Sequence, residues 1–371
     1  MTKFKGRIAA ASALALGAAL VAAPASAKKI EGSYICVFKE GAVAKGQERA
    51  SANRAASAAG GQVGRVYTHA IRGFSANISA QGAARMQAAN RNIAWCEQDQ
   101  IATTGQGRGK PGGGGGGGGT DPQRTPWGID RVGGAGNGTG KRAWVIDTGI
   151  DADHPDLNVN ASLSVNYAKG KSWDDSDGHG THVAGTIAAK NNTIGVVGVA
   201  AGAEVVAVRV LGRNGGSYTD VIAGVDYVAA NGSPGDVANM SLGGGYSAAL
   251  NIAVQNAAAG GIAFVLAAGN ESTDANTKSP ASANGPNVYT ISSFAQGDVW
   301  SSFSNYGNPP VDFAEPGSAI LSTYKDGGYA TLSGTSMAAP HAAGILLLGS
   351  INPSGKVLND PDGNDDIIGS R

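Results

Sequence analysis

The chain has 371 residues, 28 acidic and 28 basic side chains, and a hydrophobic content of 42%. This length allows two or three domains, and the zero formal charge gives no reason to expect a nucleic-acid partner or a membrane surface. With 59 glycines and only 15% charged residues, the composition is typical of a compact, loop-rich exported protein and unlike that of a charge-rich disordered chain.

Residues 1–27 have the pattern of a secretory signal peptide. A basic start precedes an Ala-rich apolar segment that ends at Pro24, and Ala25-Ser26-Ala27 is an A-x-A cleavage site. A membrane anchor is the alternative, but this segment is short, and no later stretch has the roughly 18 apolar residues of a spanning helix. We therefore predict a monomer secreted to the extracellular space or the periplasm, with no membrane attachment after signal cleavage.

Residues 28–104 are predicted to form a small α+β domain of ferredoxin-like type, with the split βαβ order β-α-β-β-α-β. Its strands are predicted at 34–38, 62–67, 73–78 and 93–96, and its helices at 43–59 and 80–90. The first and last strands of this fold are neighbours. The chain's two cysteines, Cys36 and Cys96, lie on them, so they form either a cross-strand disulfide or two separate buried thiols.

Residues 105–119 contain eight consecutive glycines and are predicted to be a flexible linker. From residue 120 to 371, buried strands alternate with helices, which predicts a doubly wound, mostly parallel α/β domain. Its strands are predicted at 143–146, 205–210, 237–240 and 262–266, and its helices at 181–189, 218–230 and 248–259. The polar, acidic residues 359–371 are predicted to be frayed.

Four polar residues stand where this domain would hold a site. Asp147 and Asn270 follow buried strands, His179 lies between glycines, and Ser336 begins a predicted helix. Three of them have an ordinary alternative: a cap or turn for Asp147, a turn for Asn270 and helix N-capping for Ser336. His182 is expected to pack, and without an HExxH motif a zinc site is disfavoured. Together the four residues supply an orienting acid, a base, an oxyanion donor and a nucleophile.

These residues lie in longer motifs, and the chain from about residue 120 to 351 resembles subtilisin-like serine proteases, closest to the proteinase K-like branch. The matching motifs are Val145-Ile146-Asp147-Thr148-Gly149-Ile150, Gly178-His179-Gly180-Thr181-His182-Val183-Ala184-Gly185, Ser241-Leu242-Gly243-Gly244, Ala267-Ala268-Gly269-Asn270 and Gly334-Thr335-Ser336-Met337-Ala338-Ala339-Pro340-His341. The order Asp, His, Ser along the chain is that of subtilisin.

The resemblance implies a peptide-bond hydrolase with Asp147, His179 and Ser336 as its triad and Asn270 as an oxyanion donor. It also implies a substrate pocket formed by small, uncharged segments, and hence broad specificity with a preference for apolar side chains before the cut. The residues implied in this pocket are Ser241, Leu242, Gly243, Ala268 and Gly269.

The resemblance extends to the first domain, where Gly73-Phe74-Ser75-Ala76 and Glu97-Gln98-Asp99 match inhibitory propeptides of such proteases. It implies that this domain assists folding, inhibits the protease intramolecularly and is cut away near Thr120. No cofactor is required for the chemistry, but a structural calcium ion is expected at the carbonyls of Pro286 and Val288 and the carboxylate of Asp312.

Two other functions compete with a secreted endopeptidase. An esterase would be expected to carry a G-x-S-x-G elbow, which the segment around Ser336 fails at its last position. A non-enzymatic binding protein is disfavoured because every triad position is occupied. A nucleotide-binding P-loop at 133–142 is excluded because Ala135 and Arg142 replace residues that the motif requires.

Overall fold

The structure is a computed structural model that describes residues 28–105 and 121–371. The predicted signal peptide and nearly all of the predicted glycine linker lie outside the described residues. Within these two ranges, every helix is too short or too polar to cross a bilayer.

Residues 28–105 contain four strands and two helices in the predicted order. They are β1 (Lys29–Phe38), α1 (Glu48–Ala58), β2 (Gln62–Tyr67), β3 (Gly73–Asn77), α2 (Ala80–Ala89) and β4 (Ile93–Ala102). The strands are arranged β4-β1-β3-β2, and all neighbouring pairs are antiparallel. Cys36 lies opposite Cys96 in the β1–β4 pair, and a disulfide joins them. The alternative of two separate thiols is therefore wrong.

Three boundaries in this unit differ from the prediction by more than one residue. Strand β1 begins at Lys29 and not at residue 34. Helix α1 begins at Glu48 and not at residue 43, because Gly46 has a positive φ of 84° that a helix does not allow. Strand β4 continues to Ala102 beyond its predicted end at Cys96. Of its extra residues, Glu97, Gln98 and Gln100 still pair with β1, whereas Ile101 and Ala102 pair with residues 216–217. Local sequence patterns do not reveal the latter interaction.

Residues 121–371 contain short helices and strands between the main ones. In chain order they are α3 (Trp127–Arg131), β5 (Gly136–Asn137), β6 (Arg142–Asp147), β7 (Asn158–Val159), β8 (Val165–Asn166), α4 (His179–Ala188), β9 (Ala200–Ala201), β10 (Glu204–Arg209), β11 (Gly216–Ser217), α5 (Tyr218–Asn231), β12 (Val237–Met240), β13 (Gly244–Gly245), α6 (Ala248–Ala258), β14 (Ala263–Ala267), a 3-10 turn (Ala275–Thr277), β15 (Lys278–Ser279), β16 (Val288–Ala295), β17 (Val299–Trp300), β18 (Val311–Pro316), β19 (Ile320–Tyr324), β20 (Gly328–Leu332), α7 (Thr335–Leu348), β21 (Asn352–Lys356) and β22 (Ile367–Ser370).

The main sheet has the strand order β21-β22-β18-β16-β14-β12-β6-β10-β7, and its strands from β22 to β7 are parallel. Strand β6 lies between β10 and β12, so the chain winds outward from it in both directions. In such sheets the crevice beyond the strand ends at this switch point is where ligands bind.

Helices cover both faces of the sheet, as a doubly wound fold requires. Apolar residues of α5 and α6 pack on one face, and those of α4 and α7 pack on the other. Residues 28–105, the first unit, contribute to the hydrophobic cluster on the face covered by α5 and α6, because Ile35, Tyr67, Ile71 and Ala102 are buried within it. Residues 121–371 are the second unit. The two units therefore share this hydrophobic cluster, and the first unit has a second one of its own around Phe38 and Phe74.

The prediction that residues 359–371 are frayed is wrong. Strand β22 pairs with β18 and β21, and Ile368 is fully buried. Its four residues are too few to show a period in the sequence, and their partner strand lies some 50 residues earlier in the chain.

Candidate active site

Asp147 and His179 form a buried hydrogen-bonded pair at the switch point. Asp147 is the last residue of β6, and its Oδ1 lies 2.8 Å from His179 Nδ1. The same oxygen accepts the N–H of Thr148 at 2.6 Å. Both side chains are fully buried. A carboxylate on Nδ1 leaves the other ring nitrogen free to take a proton.

Glycine at position 180 lets α4 approach β6 this closely. His179 is the first residue of α4, two residues before the predicted helix start. A Cβ on Gly180 would lie 2.1 Å from the carbonyl oxygen of Gly149, and the N–H of Gly180 donates to Thr148 Oγ1 at 2.9 Å. Any larger residue would push His179 away from Asp147.

The surroundings of His179 favour its protonated form. Burial by itself lowers the pKa of His179, but the charge and hydrogen bond of Asp147, with the charges of Asp177 and Asp175, outweigh burial and raise the pKa above its ordinary value. His179 Nε2 is buried and has no hydrogen-bond partner among residues 28–105 and 121–371. By contrast, burial lowers the pKa of His182 to about 3, so that residue is a neutral packing residue, as predicted.

Ser336 does not cap the helix that it was predicted to begin. Helix α7 begins at Thr335 with Gly334 as the N-cap residue, and no side chain caps it. Ser336 Oγ lies within hydrogen-bond distance of two carbonyl oxygens, that of Thr104 at 3.1 Å and that of Ser241 at 3.2 Å. The capping interpretation is therefore wrong. In this arrangement the hydroxyl faces a peptide carbonyl of the first unit, and it makes no hydrogen bond with His179.

Asn270 is oriented by the start of α7. Its Oδ1 accepts both the N–H and the hydroxyl of Thr335, at 2.8 and 2.9 Å. This fixes the side-chain amide, so Nδ2 points towards the space between Gly105 and Gly334, as the short approach of a Cβ at either position shows. A donor held in this way is suited to stabilise negative charge on a carbonyl oxygen. The role of Thr335 was not predicted from the sequence.

A cavity adjoins Ser336 and Asn270. It is lined by four of the five residues predicted for the substrate pocket, Leu242, Gly243, Ala268 and Gly269. The fifth, Ser241, lies behind this wall, where its Oγ donates to the carbonyl of Ser336 at 2.8 Å. Two charged residues that the sequence analysis missed, Glu271 and Lys278, also line the cavity. Glu271 directly follows Asn270 in the sequence, so its position beside the predicted site could have been inferred from that neighbour.

Segment 101–105 of the first unit lies across this cavity. Residues 103–105 line it, and Thr103 pairs in an antiparallel bridge with Gly243. On the other side, Ile101 and Ala102 pair with β11. The cleft edges therefore already bind an extended segment of the same chain.

The residues predicted to bind calcium lie at the start of β16 and on the neighbouring strand β18. One oxygen of Asp312 accepts the N–H of Thr290 at 2.8 Å, and burial raises the pKa of Asp312. This donor set, two carbonyls and one carboxylate, consists of oxygen only, which suits a hard cation, although it carries a single negative charge.

Comparison with known proteins agrees with this geometry. The model of the Subtilase family matches residues 143–355. The alkaline serine exoprotease A of Vibrio alginolyticus is 41% identical over 79% of this chain, which spans 55% of that protein's length. The cuticle-degrading protease of Metarhizium anisopliae is 35% identical, with 87% of this chain and 80% of that protein covered.

Proteinase R of Parengyodontium album is 36% identical, with coverage of 86% and 80%. Among solved structures, a cold adapted subtilisin-like serine proteinase matches with 39% identity and a TM-score of 0.57, covering 65% of this chain and 96% of that one. The buried Asp147–His179 pair, the serine at the start of α7 and these relatives lead to one conclusion: the chain belongs to the subtilase family, in its proteinase K-like branch of serine proteases.

Proposed function

We propose that the chain is a secreted serine endopeptidase that is made as a self-inhibited precursor. In this proposal residues 1–27 are the signal peptide, 28–104 a ferredoxin-like inhibitory propeptide, 105–119 a linker and 120–371 the catalytic domain. The single observation that carries the proposal is the placement of a peptide carbonyl, that of Thr104, at the hydroxyl of Ser336 beside the buried Asp147–His179 pair.

The reaction begins when His179 accepts the proton of Ser336 as the serine oxygen attacks a peptide carbonyl. Asp147 holds the ring in the tautomer that leaves Nε2 available, and it stabilises the imidazolium that forms. His179 then gives the proton to the leaving amine, and water hydrolyses the acyl-enzyme. Asn270 Nδ2 and the N–H of Ser336 stabilise the oxyanion, a contribution of about 2.7–4 kcal/mol per donor.

The hydrogen bonds that hold segment 101–103 indicate how a substrate binds. They join main-chain groups only, with β11 on one side and Gly243 on the other. Main-chain pairing gives affinity without selecting side chains, which supports broad specificity. Selection falls to the pocket beside Ser336, where Leu242 and Ala268 favour an apolar side chain and Glu271 and Lys278 lie at the wall.

Two carboxylates of the first unit support the inhibitory role by capping helices of the second. Glu97 accepts the hydroxyl of Ser247 and the N–H of Ala248 at the start of α6, the latter at 3.1 Å. Asp99 accepts the N–H and hydroxyl of Thr219 at the start of α5, at 3.2 and 2.8 Å. Both carboxylates face the positive ends of helix dipoles and bind groups that a helix leaves unpaired.

In another contact between the units, a carboxylate of the catalytic domain binds the turn between β2 and β3. The carboxylate of Asp226 on α5 accepts the N–H groups of three consecutive residues, 68–70, at 2.7–3.1 Å. Arg65 adds an ion pair with Asp220 at 2.6 Å. Together with the shared apolar cluster, these contacts would keep segment 101–105 in the cleft.

Replacement of the serine tests the function directly. We expect Ser336→Ala to remain an uncut precursor and to lose activity on denatured casein by about 10⁶-fold, since the nucleophile is gone. Casein digestion and mass spectrometry of both chains measure this. Intact casein with the unmodified chain would refute the protease proposal, and hydrolysis of a short-chain ester alone would favour an esterase. Processing of the variant would mean that another protease makes the cut.

The raised pKa of His179 predicts the pH dependence of the activated enzyme. The base must be neutral, so kcat/KM should rise with pH through a midpoint above the ordinary histidine value of about 6.5. Asp177→Asn removes one of the charges that raise this pKa and should move the midpoint to lower pH. The matched control is Asp130→Asn, an exposed residue of α3, which should leave it unchanged. An unmoved midpoint in Asp177→Asn would contradict the prediction.

Glu97 tests the inhibitory contact. Burial raises the pKa of Glu97, although Ser247 and Ala248 bind its carboxylate. Glu97→Gln removes the charge at the start of α6 and should weaken inhibition by about fivefold, since hydrogen bonds to charged groups are stronger by roughly 1 kcal/mol. The sample is a purified complex in which the chain has been cleaved and the first unit is still bound. The readout is the concentration at which this complex becomes active on dilution. The exposed Glu31→Gln control should behave as the unmodified protein.

The calcium proposal predicts a chelator effect. If Pro286, Val288 and Asp312 bind the ion, removing it should lower the melting temperature of the unmodified chain by a few degrees, because an ion bound only by the folded state stabilises it. Differential scanning fluorimetry with and without chelator measures the shift. Asp312→Asn should melt lower and respond little to chelator. A full response in that variant would place the ion elsewhere.

A further inference from the structure

We propose that the Cys36–Cys96 disulfide is a redox switch of inhibition. Its reduction by a small dithiol favours the unfolded state of the first unit over the folded state that binds the second unit, and thereby weakens inhibition. This inference rests on the proposed inhibitory role of residues 28–104 and concerns how that inhibition is controlled.

Both cysteines of the chain lie in the first unit, and they face away from the second unit. Along β1 and β4, successive side chains point to opposite faces of the sheet. Ile35 and Trp95 pack in the cluster shared with α5 and α6, whereas Cys36 and Cys96 pack in the separate cluster beneath α1 and α2. A reductant can therefore attack the disulfide while the first unit still covers the cleft.

Cys96 is the residue whose sulfur a thiolate can approach. Cys36 is fully buried, but Cys96 is partly exposed. The N–H of Cys96 donates to Oε1 of Gln87, an exposed residue of α2, at 2.9 Å. The disulfide thus lies at the edge of the first unit, and thiol–disulfide exchange requires such access.

The disulfide joins the two strands that carry contacts with the second unit. Cys36 lies opposite Cys96, which places Ile35 opposite Glu97. Ile35 is buried in the shared cluster, and Glu97 binds the start of α6. Two residues further along β4, Asp99 binds the start of α5. Separation of β1 from β4 would therefore remove apolar and polar contacts with the second unit together.

Without the second unit, the first unit has a small hydrophobic core. Six of the thirteen buried residues in its own cluster are alanines, which bury little apolar area. Ile35, Tyr67 and Ile71 would be exposed to water, because they pack in the shared cluster. A domain of this size is marginally stable without a cross-link. The disulfide therefore decides whether the released first unit stays folded.

Folding and binding of the first unit are linked. Its two cysteines are 60 residues apart in the chain, and a disulfide typically favours the folded state by roughly 30- to 900-fold. Only the folded unit can pair with β11 and Gly243. Because the apparent dissociation constant is the intrinsic constant divided by the folded fraction, reduction should raise it.

The exchange reaction is balanced between the protein and the dithiol. One thiolate of the reductant bonds to Cys96 Sγ, and the bond from that sulfur to Cys36 Sγ breaks, which leaves a thiolate on Cys36. The second thiolate of the reductant then displaces Cys96 and closes the reductant's own disulfide. The dithiol loses two electrons, the protein disulfide gains them, and the two thiol protons end on Cys36 and Cys96.

The test uses the purified complex in which the chain has been cleaved and the first unit is still bound. With dithiothreitol, the concentration at which this complex becomes active on dilution should rise by at least about tenfold, since the folded fraction of the first unit falls. Thiol trapping with iodoacetamide and intact-mass spectrometry show whether the disulfide was reduced. The inference is wrong if the disulfide of the folded complex resists reduction, or if it is reduced and the activating concentration does not change.

A double variant separates reduction of the disulfide from other effects of the reagent. Cys36→Ala with Cys96→Ala should become active at the higher concentration without dithiothreitol and should not respond to it. A response of this variant as large as that of the unmodified protein would overturn the inference. If the variant fails to fold, the comparison of the unmodified protein with and without dithiothreitol still decides.

Casein digestion separates this inference from the proposed function. Residues 120–371 contain no cysteine, so dithiothreitol should leave the activity of the fully released enzyme unchanged. A complex that becomes active at the same concentration with and without the reagent retains the proposed function and loses the inference. A complex that stays equally active or equally inactive at every dilution loses the proposed inhibitory function, and the inference with it.

Discussion

The site depends on one buried negative charge at the end of a central strand. Moving an ionised carboxylate out of water costs several kcal/mol unless hydrogen bonds replace its hydration. Asp147 recovers part of this cost from the N–H of Thr148 and from His179. Because those bonds require α4 to lie against β6, the carboxylate sets the position of the helix that carries His179. Gly180 is the residue that makes the approach sterically feasible.

The cleft uses main-chain hydrogen bonds, and this links two properties of the protein. The groups of β11 and Gly243 that hold segment 101–103 are the ones proposed to hold a substrate. A change that strengthens those bonds would therefore strengthen the binding of segment 101–103 and the binding of a substrate together. Contacts outside the cleft, such as Glu97 at α6 and Asp226 at the β2–β3 turn, are available to the first unit alone. In the proposed precursor, these contacts would add to the main-chain hydrogen bonds that hold segment 101–103, and a separate peptide in the cleft would lack them.

Sequence patterns were sufficient where local rules and chain order decide the structure. Buried apolar runs located β6, β12 and β14, and the polar residues after them were therefore expected at one edge of the sheet. The start of α4 was missed by two residues because its N-cap is Gly178, with φ of +108° and no capping side chain. A glycine in that role gives a weaker signal than serine or aspartate.

Interactions between segments that are distant in the chain could not be predicted from the sequence. The match of Glu97-Gln98-Asp99 to inhibitory propeptides implied inhibition of the protease, but no local pattern in residues 97–104 indicates which groups β4 pairs with. Its partners, β11 and Gly243, lie more than 100 residues later. The pairing of β22 with β18 was missed for the same reason. Thr335 was overlooked because its role, holding the Asn270 side chain, depends on a contact across 65 residues.

The hydrophobic core that the two units share has a thermodynamic consequence. Separating them would transfer Ile35, Tyr67 and Ile71 from the neighbourhood of α5 and α6 into water. Exposure of apolar surface raises the heat capacity, so the enthalpy of separation must change with temperature. The apolar part of this association weakens on cooling, so the contacts of Ile35, Tyr67 and Ile71 with the second unit contribute less to retaining the first unit at low temperature.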